Sequence, residues 1–222
     1  MKFPGESASY RVARDKLLLA ERELRGHVEQ VAELRRQLPL GGELAEDYVF
    51  DEGAPVKFSD LFRQGLDTLA LYNFMFSPQM KQACPMCSSF LDSLNGTAPH
   101  AAQRLNLAVV AKSPIGRIRE FARGRGWNYL RLLSSAGNTY NRDYHGETAD
   151  GGQVPVMSVF VRREGKIYHW YSTELVFAPA EPGQNQRHID MMWPLWNLLD
   201  LTPEGRGTDW YPRLELPAVG ER

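Results

Sequence analysis

The chain has little cysteine, almost no net charge and no long apolar run. Two cysteines in 222 residues cannot form the disulfide scaffold that holds small secreted domains together. Twenty-six basic residues against 27 acidic ones give a formal net charge of −1, so no whole-molecule field gathers nucleic acid or an anionic membrane. No segment approaches the roughly 20 apolar residues that span a bilayer, and the opening stretch from Met1 to Tyr10 lacks the apolar core of a secretion signal. These absences point to a cytoplasmic protein that recognises its partners locally, with neither nucleic acid nor membrane among them. Internal repeats and low-complexity tracts are missing as well.

What is present begins with a core. At 43% hydrophobic residues, a chain of this length buries one substantial domain with some decoration. The two cysteines stand together as Cys84-Pro85-Met86-Cys87, a spacing that random placement would give in roughly 1% of chains. In a reducing cytoplasm such a pair is more useful as a cycling dithiol or a metal ligand than as a permanent crosslink.

Residues 1–42 read as a helical arm and linker, and residues 43–222 as the main domain. From Ser7 to Leu38 there is no proline, and Tyr10, Ala13, Leu17, Ala20, Leu24, Val31, Leu34 and Leu38 follow alternating steps of three and four, with His27 in the one polar place. This amphipathic stripe must lie on the domain or on a second copy of itself, which makes a homodimer through the N-terminal helix one of its two outcomes. Pro39-Leu-Gly-Gly42 ends the helix.

Beyond the linker, short β-like runs alternate with helical segments, which predicts an α/β fold with a mixed central sheet flanked by helices. Strands are expected at 47–50, 56–58, 69–76 and 105–111, with a short edge strand at 128–133. Helices are expected from Pro85 to Asn95, ended by Gly96, near Pro99 to Arg104, and from Pro114 to Gly124 with Ile115, Ile118 and Phe121 inward. Strand, crossover helix and strand in that order imply parallel pairing with a right-handed connection. A polar insertion near 134–152 is too long for a turn and should pack by itself or line a site, with Ser134 to Tyr144 as candidate substrate contacts. An antiparallel hairpin at 154–171 and a helix around 189–199 complete the pattern.

The cysteine pair sits between a buried strand and a helix start. Cys84 there meets the positive end of the helix dipole and unpaired N–H groups, both of which favour thiolate over thiol. Pro85 suits the first helical position, and Cys87, one turn on, lies on the same face within reach of Cys84. The expected chemistry is attack by Cys84 on a disulfide and resolution of the mixed disulfide by Cys87, with Pro85 and Met86 beside the substrate. No cofactor is needed for it. Pro155 starts the first hairpin strand; in thioredoxin-like folds a cis proline at that place faces the cysteines and exposes the backbone of the preceding residue, here Val154, to an incoming peptide. Val154 and Pro155 are therefore expected substrate contacts, with Pro155 in the cis form. The partner is a disulfide-containing protein or a small thiol.

The chain also resembles a family, the bacterial domain-of-unknown-function proteins numbered eight-nine-nine, described as thioredoxin-like and as predicted dithiol-disulfide oxidoreductases. The resemblance rests on the charged leading helix ending in Arg35-Arg-Gln-Leu-Pro39, on Asp47-Tyr-Val-Phe50, Tyr72-Asn-Phe-Met-Phe76 and Cys84-Pro-Met-Cys87 with Ser88, Ser89 and Phe90. It continues through Gly126-Trp127, Ser134-Ser-Ala-Gly-Asn138, Asn141-Arg-Asp143, Ser158-Val-Phe160, His169-Trp-Tyr-Ser-Thr173 and Leu199-Asp-Leu-Thr-Pro203. It implies a thioredoxin-like fold and dithiol chemistry. The flanks Gln82-Ala83 and Pro85-Met86 lack the tryptophan and glycine of thioredoxins proper, so neither redox potential nor partner choice transfers.

Two other classes share the fold. A peroxidase of peroxiredoxin type places threonine or serine three residues before the reactive cysteine, whereas Lys81 stands there; Lys81 reads as a solvated loop residue or a thiolate stabiliser. A copper- or zinc-binding protein would add histidines, with His100, His145, His169 and His188 as candidates, none at diagnostic spacing. Trp193, Trp196, Trp210 and Tyr211 read as core or dimer contacts.

Overall fold

The computed structural model describes residues 2–180, 182–183 and 192–215, and the chain divides into two compact units, residues 1–40 and 41–222. The first unit is the helix α1, Ala8–Arg36. Ser7 caps it, its Oγ accepting from the Tyr10 N–H at 3.1 Å, and Arg35 and Arg36 place positive charge at the negative end of the dipole. None of its residues is buried, and Tyr10, Leu17, Leu24, Val31 and Leu34 of the stripe are exposed.

The second unit is a seven-stranded sheet in the order β2-β1-β5-β4-β3-β6-β7. Its strands are β1 Val49–Asp51, β2 Pro55–Lys57, β3 Thr68–Asn73, β4 Asn106–Ala111, β5 Leu132–Ser134, β6 Val156–Arg163 and β7 Lys166–Ser172. The helices α2 (Pro85–Ala101) and α3 (Ile115–Arg125) form the crossovers β3-α2-β4 and β4-α3-β5, and β3, β4 and β5 are parallel. On the other side of β3, the hairpin β6-β7 runs antiparallel. A parallel pair joined by a helix, with an antiparallel hairpin added beside the first strand, is the thioredoxin arrangement, so the expected fold stands.

Period-two alternation divides the core between two faces. Tyr72, Val109, Ala111, Leu132 and Met157 point toward α2 and α3, where they meet Phe90, Leu91, Ile118 and Trp127. Leu69, Leu71, Ala108, Val110, Leu133 and Phe160 point the other way, onto the aromatic cluster of Tyr48, Phe50, Phe58 and Tyr140.

Four expected elements differ in the fold. The strand at 128–133 is shorter, and it lies inside the sheet between β1 and β4 because β1 pairs antiparallel with β5 across Asp51 and Ser134. Helix α2 does not stop at Gly96 but runs on through Pro99. Its buried face Met86, Cys87, Phe90, Leu91, Leu94 and Ala98 keeps helical spacing past Gly96, so packing outweighs the roughly 1 kcal/mol cost of the glycine, and Pro99 falls on the exposed side in the last turns. The linker glycines join the sheet edge: the Gly41 N–H donates to the His169 carbonyl at 3.0 Å, and the His169 N–H to the Gly42 carbonyl at 2.9 Å. Of the tail helix, the described part is α5, Pro194–Leu199; positions 189–191 lie outside the described residues.

The polar insertion packs, as its length requires. It contains α4, Tyr140–Asp143, whose Tyr140 and Asn141 are buried. Asn73, at the end of β3, holds the insertion in place: its Nδ2 donates to the Gly146 carbonyl at 2.9 Å and to the Val154 carbonyl, and its Oδ1 accepts from Asn141 Nδ2 at 2.6 Å. Asn141 in turn accepts from Ser135 Oγ, so every polar atom in this buried chain is matched. Gly146 is required by proximity, since a Cβ there would sit 2.7 Å from Asn73 Cγ. Gly146→Ala should therefore cost about 1–3 kcal/mol in equilibrium urea unfolding, by displacing the Asn73 amide from its partners. Gly137→Ala in the same insertion, where nothing lies within 4 Å of the added carbon, should be close to neutral.

Candidate active site

The cysteines lie where β3 hands over to α2. Residues 74–76 leave the strand but keep backbone contact, with the Phe74 N–H donating to the Val110 carbonyl at 2.8 Å and the Cys84 N–H to the Met75 carbonyl at 3.2 Å. Cys84 is the N-cap of α2 and Pro85 its first residue. A serine or aspartate usually supplies the oxygen at such a cap; here the sulfur accepts instead, from the Cys87 N–H at 3.4 Å. The Cys84 carbonyl accepts from both the Ser88 N–H at 2.9 Å and Ser88 Oγ at 2.8 Å, which fixes the turn.

Both thiols are free and buried, Cys84 at 8% exposure and Cys87 at none. The two differ sharply in acidity. Cys84 is brought down to about 6 by the hydrogen bond from the Cys87 thiol, with the Cys87 and Met86 N–H groups and the Tyr211 hydroxyl adding to it and burial opposing. Cys87 is pushed well up, first by burial and then by the Cys84 sulfur beside it, while the Tyr72 hydroxyl pulls the other way. One sulfur is thus an anion and its neighbour a proton donor to it.

Three residues shape this site that the cysteine motif does not reveal. Tyr72, on the β3 face opposite to that of Asn73, is fully buried and hydrogen-bonded to Cys87; burial raises its own pKa and keeps it a neutral donor. Tyr211 places its hydroxyl 3.9 Å from Cys84 Sγ, and burial with the nearby sulfur raises its pKa too, so it is a hydrogen-bond donor to the thiolate rather than a core or dimer contact. Arg117 of α3 gathers the loop before Cys84: it donates to the carbonyls of Ser77 (3.0 Å), Pro78 (3.4 Å), Met80 and Lys81 (3.3 Å), with its guanidinium 4.2 Å from the Phe76 ring centre. Lys81 itself is exposed. The one local hint was the YNFMF run, which puts a tyrosine on the core face two residues before the strand gives way.

The C-terminal segment closes over the pair. Trp193 and Trp196, each 1% exposed, join the same core cluster as Cys84 and Cys87. Arg125 of α3, ion-paired with Asp92 of α2, donates to the Leu214 carbonyl at 2.7 Å and so anchors the chain just past Tyr211.

The other expected site residues fall in two places. Pro85 and Met86 frame Cys84 as the first turn of α2, Met86 8% exposed. Pro155 is a correction: no cis bond occurs among the described residues, and Val154–Pro155 is trans. The reason lies in what Val154 touches, since its N–H donates to the Gly146 carbonyl at 3.0 Å and its carbonyl accepts from Asn73. Both backbone groups expected to receive a peptide are already engaged within the chain.

Among the described residues, the candidate histidines do not gather at the cysteines. His100 sits in the last turn of α2, and His145 and His169 line a cavity of about 940 Å³ with Tyr144 and Phe177. His169 is held to Ser172 Oγ at 2.9 Å, and burial lowers its pKa. His188 lies outside the described residues. Among the described residues, no group of three or more His, Cys, Asp or Glu is arranged to hold a metal ion.

A thioredoxin-like domain with a dithiol at its strand-to-helix junction is the class of protein these observations define. Within that class, the chain belongs to the family described as bacterial protein of unknown function (DUF899), whose model matches residues 2–216. A comparison with curated proteins yields no match. Among solved structures, the mitochondrial 2-Cys peroxiredoxin of Plasmodium falciparum is similar over 60% of this chain and 82% of its own, at 10% identity and a TM-score of 0.46. Peroxiredoxin Q of Xanthomonas campestris covers 60% and 84% at 13% identity and TM-score 0.44. Peroxidoxin BcpB of Mycobacterium tuberculosis covers 59% and 83% at 20% identity and TM-score 0.40. Among the described residues, no helix is long and apolar enough to cross a membrane.

The acidity of Cys84 sets a test. Its alkylation rate with iodoacetamide should rise with pH and level off above a midpoint near 6, while Cys87 stays unlabelled in the folded protein. Tyr211→Phe removes a donor to the anion, so the midpoint should move upward. A midpoint at the ordinary thiol value in the unsubstituted protein would show that the donors around Cys84 do not act as described.

Proposed function

We propose that the protein is a cytoplasmic thiol-disulfide oxidoreductase in which Cys84 is the nucleophile and Cys87 the resolving thiol. The observation that carries this reading is the split acidity of the pair on one helical turn, Cys84 at about 6 and Cys87 well above its ordinary value. At neutral pH about nine-tenths of Cys84 is thiolate.

In the first step the Cys84 thiolate attacks one sulfur of a substrate disulfide. The Cys84–S bond to that sulfur forms as the substrate S–S bond breaks, and the second substrate sulfur leaves as a thiolate. Pro85 and the Met86 N–H flank the reacting sulfur. The same step removes the negative charge that held the Cys87 proton, so the Cys87 thiol becomes more acidic when its turn comes, and the Tyr72 hydroxyl is in place to stabilise the new thiolate. Cys87 then attacks Cys84 Sγ, the first substrate sulfur departs as a thiol carrying the proton from Cys87, and the Cys84–Cys87 disulfide remains. The dithiol has lost two electrons and the substrate has gained them; run backwards with an external dithiol, the same steps regenerate the reduced pair.

Cys84→Ser should abolish the reaction with a disulfide. Cys87→Ser should perform the first step and stop, accumulating a mixed disulfide on Cys84 that intact-mass spectrometry detects as one substrate half per chain. Repeated turnover in either serine variant, or the absence of a mixed disulfide on Cys87→Ser, would remove the dithiol mechanism.

The stripe on α1 supports a homodimer. It repeats every seven residues with His27 as the one polar position, and in a parallel pair Lys16 of one copy would flank Glu21 of the other, so these charges attract. Sedimentation equilibrium should give twice the chain mass, and the double substitution Leu17→Glu, Leu24→Glu should return a single chain that keeps its Cys84 reactivity. A single-chain mass for the unsubstituted protein would end the dimer reading.

A further inference from the structure

Where a thioredoxin-like site works on polypeptides, an extended segment of the substrate pairs with free backbone beside the cysteines. Among the described residues, the places where such a segment could pair are occupied or short. Val154 spends its N–H on Gly146 and its carbonyl on Asn73. The outer edge of β7 is covered by the chain's own residues 41–44, through Gly41 to His169, His169 to Gly42, and the Leu44 N–H to the Ile167 carbonyl at 2.8 Å. The opposite edge, β2, is three residues long and begins with proline, which offers no donor. At the reacting sulfur the restriction is steric: Cys84 is 8% exposed, and the hydroxyl of the half-exposed Tyr211 sits 3.9 Å from it on a segment tied down through Leu214.

We infer that the substrate of Cys84 is a low-molecular-weight disulfide, small enough to reach the sulfur while the segment bearing Tyr211 stays in place, and not an extended polypeptide. The inference rests on the dithiol reading above and specifies its substrate. The exchange is the one already balanced: Cys84 takes one half of the small disulfide, the other half leaves as a thiolate, Cys87 displaces the first half, and two small thiols diffuse away. A polypeptide would have to wait for the C-terminal segment to lift, so it meets only the fraction of molecules that are open.

Two measurements on the full-length reduced protein test this. The first compares second-order rates of oxidation by bis(2-hydroxyethyl) disulfide and by insulin, both followed by the loss of free thiol. The small disulfide should be faster by roughly 100-fold, the penalty for requiring a local opening. The second compares labelling of Cys84 by N-ethylmaleimide and by a maleimide on a polyethylene glycol of about 5 kDa, nearly the mass of a small domain, each rate divided by that of the same reagent with free mercaptoethanol. The bulky reagent should lag in the native state and catch up in urea. Insulin reacting as fast as the small disulfide, or equal normalised labelling by the two maleimides, would overturn the inference while leaving the dithiol mechanism intact. If neither disulfide oxidises the protein, the dithiol reading falls and the substrate class falls with it.

Discussion

A negative charge on Cys84, nearly sealed from water, has to be met by donors, and much of the second unit is arranged to supply them. The first turn of α2 contributes its free N–H groups because the cysteine stands at the cap. The Cys87 thiol contributes a proton because burial prevents it from ionising as well. Tyr211 contributes a hydroxyl from the far end of the chain. Each of these is worth little in water and more here, where few solvent molecules compete. The same burial that would raise the pKa of a lone thiol is therefore overcome by the groups that cause it.

The end of β3 joins this site to the rest of the domain. Consecutive residues there point to opposite faces: Tyr72 reaches Cys87, and Asn73 ties down the polar insertion and the entry to β6. The insertion therefore has a structural task on the face away from the cysteines. Asn73 also engages the Val154 carbonyl, just before β6. A single amide thus holds the insertion and the entry to β6 together.

The parts of this arrangement that sequence exposes are those built from neighbouring residues. The Cys84-Pro85-Met86-Cys87 spacing, the apolar run before it and the proline at the first helical position all act within one strand-to-helix junction, and the junction formed as expected. The alternation of strands and helices likewise led to the parallel β3-α2-β4 unit. What remained hidden depends on contacts between distant positions. Arg117 looks like any arginine on an amphipathic helix until its guanidinium meets four carbonyls of the loop 77–83. Tyr211 is one tail aromatic among several until the chain folds back 127 positions onto Cys84. Gly96 carries a strong local stop signal, yet α2 continues because Leu94 and Ala98 are buried on both sides of it. The trans form of Pro155 follows from hydrogen bonds made by Val154 with Asn73 and Gly146, neither of which is adjacent in sequence.

The distance in sequence between the thiols and their cover gives the site a history. During synthesis, Cys84 and Cys87 leave the ribosome well before Trp193, Trp196 and Tyr211 have been added, so a nascent chain can build its junction but lacks the last donor and the tryptophans of the surrounding core. Its Cys84 is correspondingly less acidic and more open to bulky partners than in the finished molecule. Full reactivity and full protection therefore arrive together, once residues 193–214 have been added, and a chain truncated before residue 193 would carry the dithiol without either.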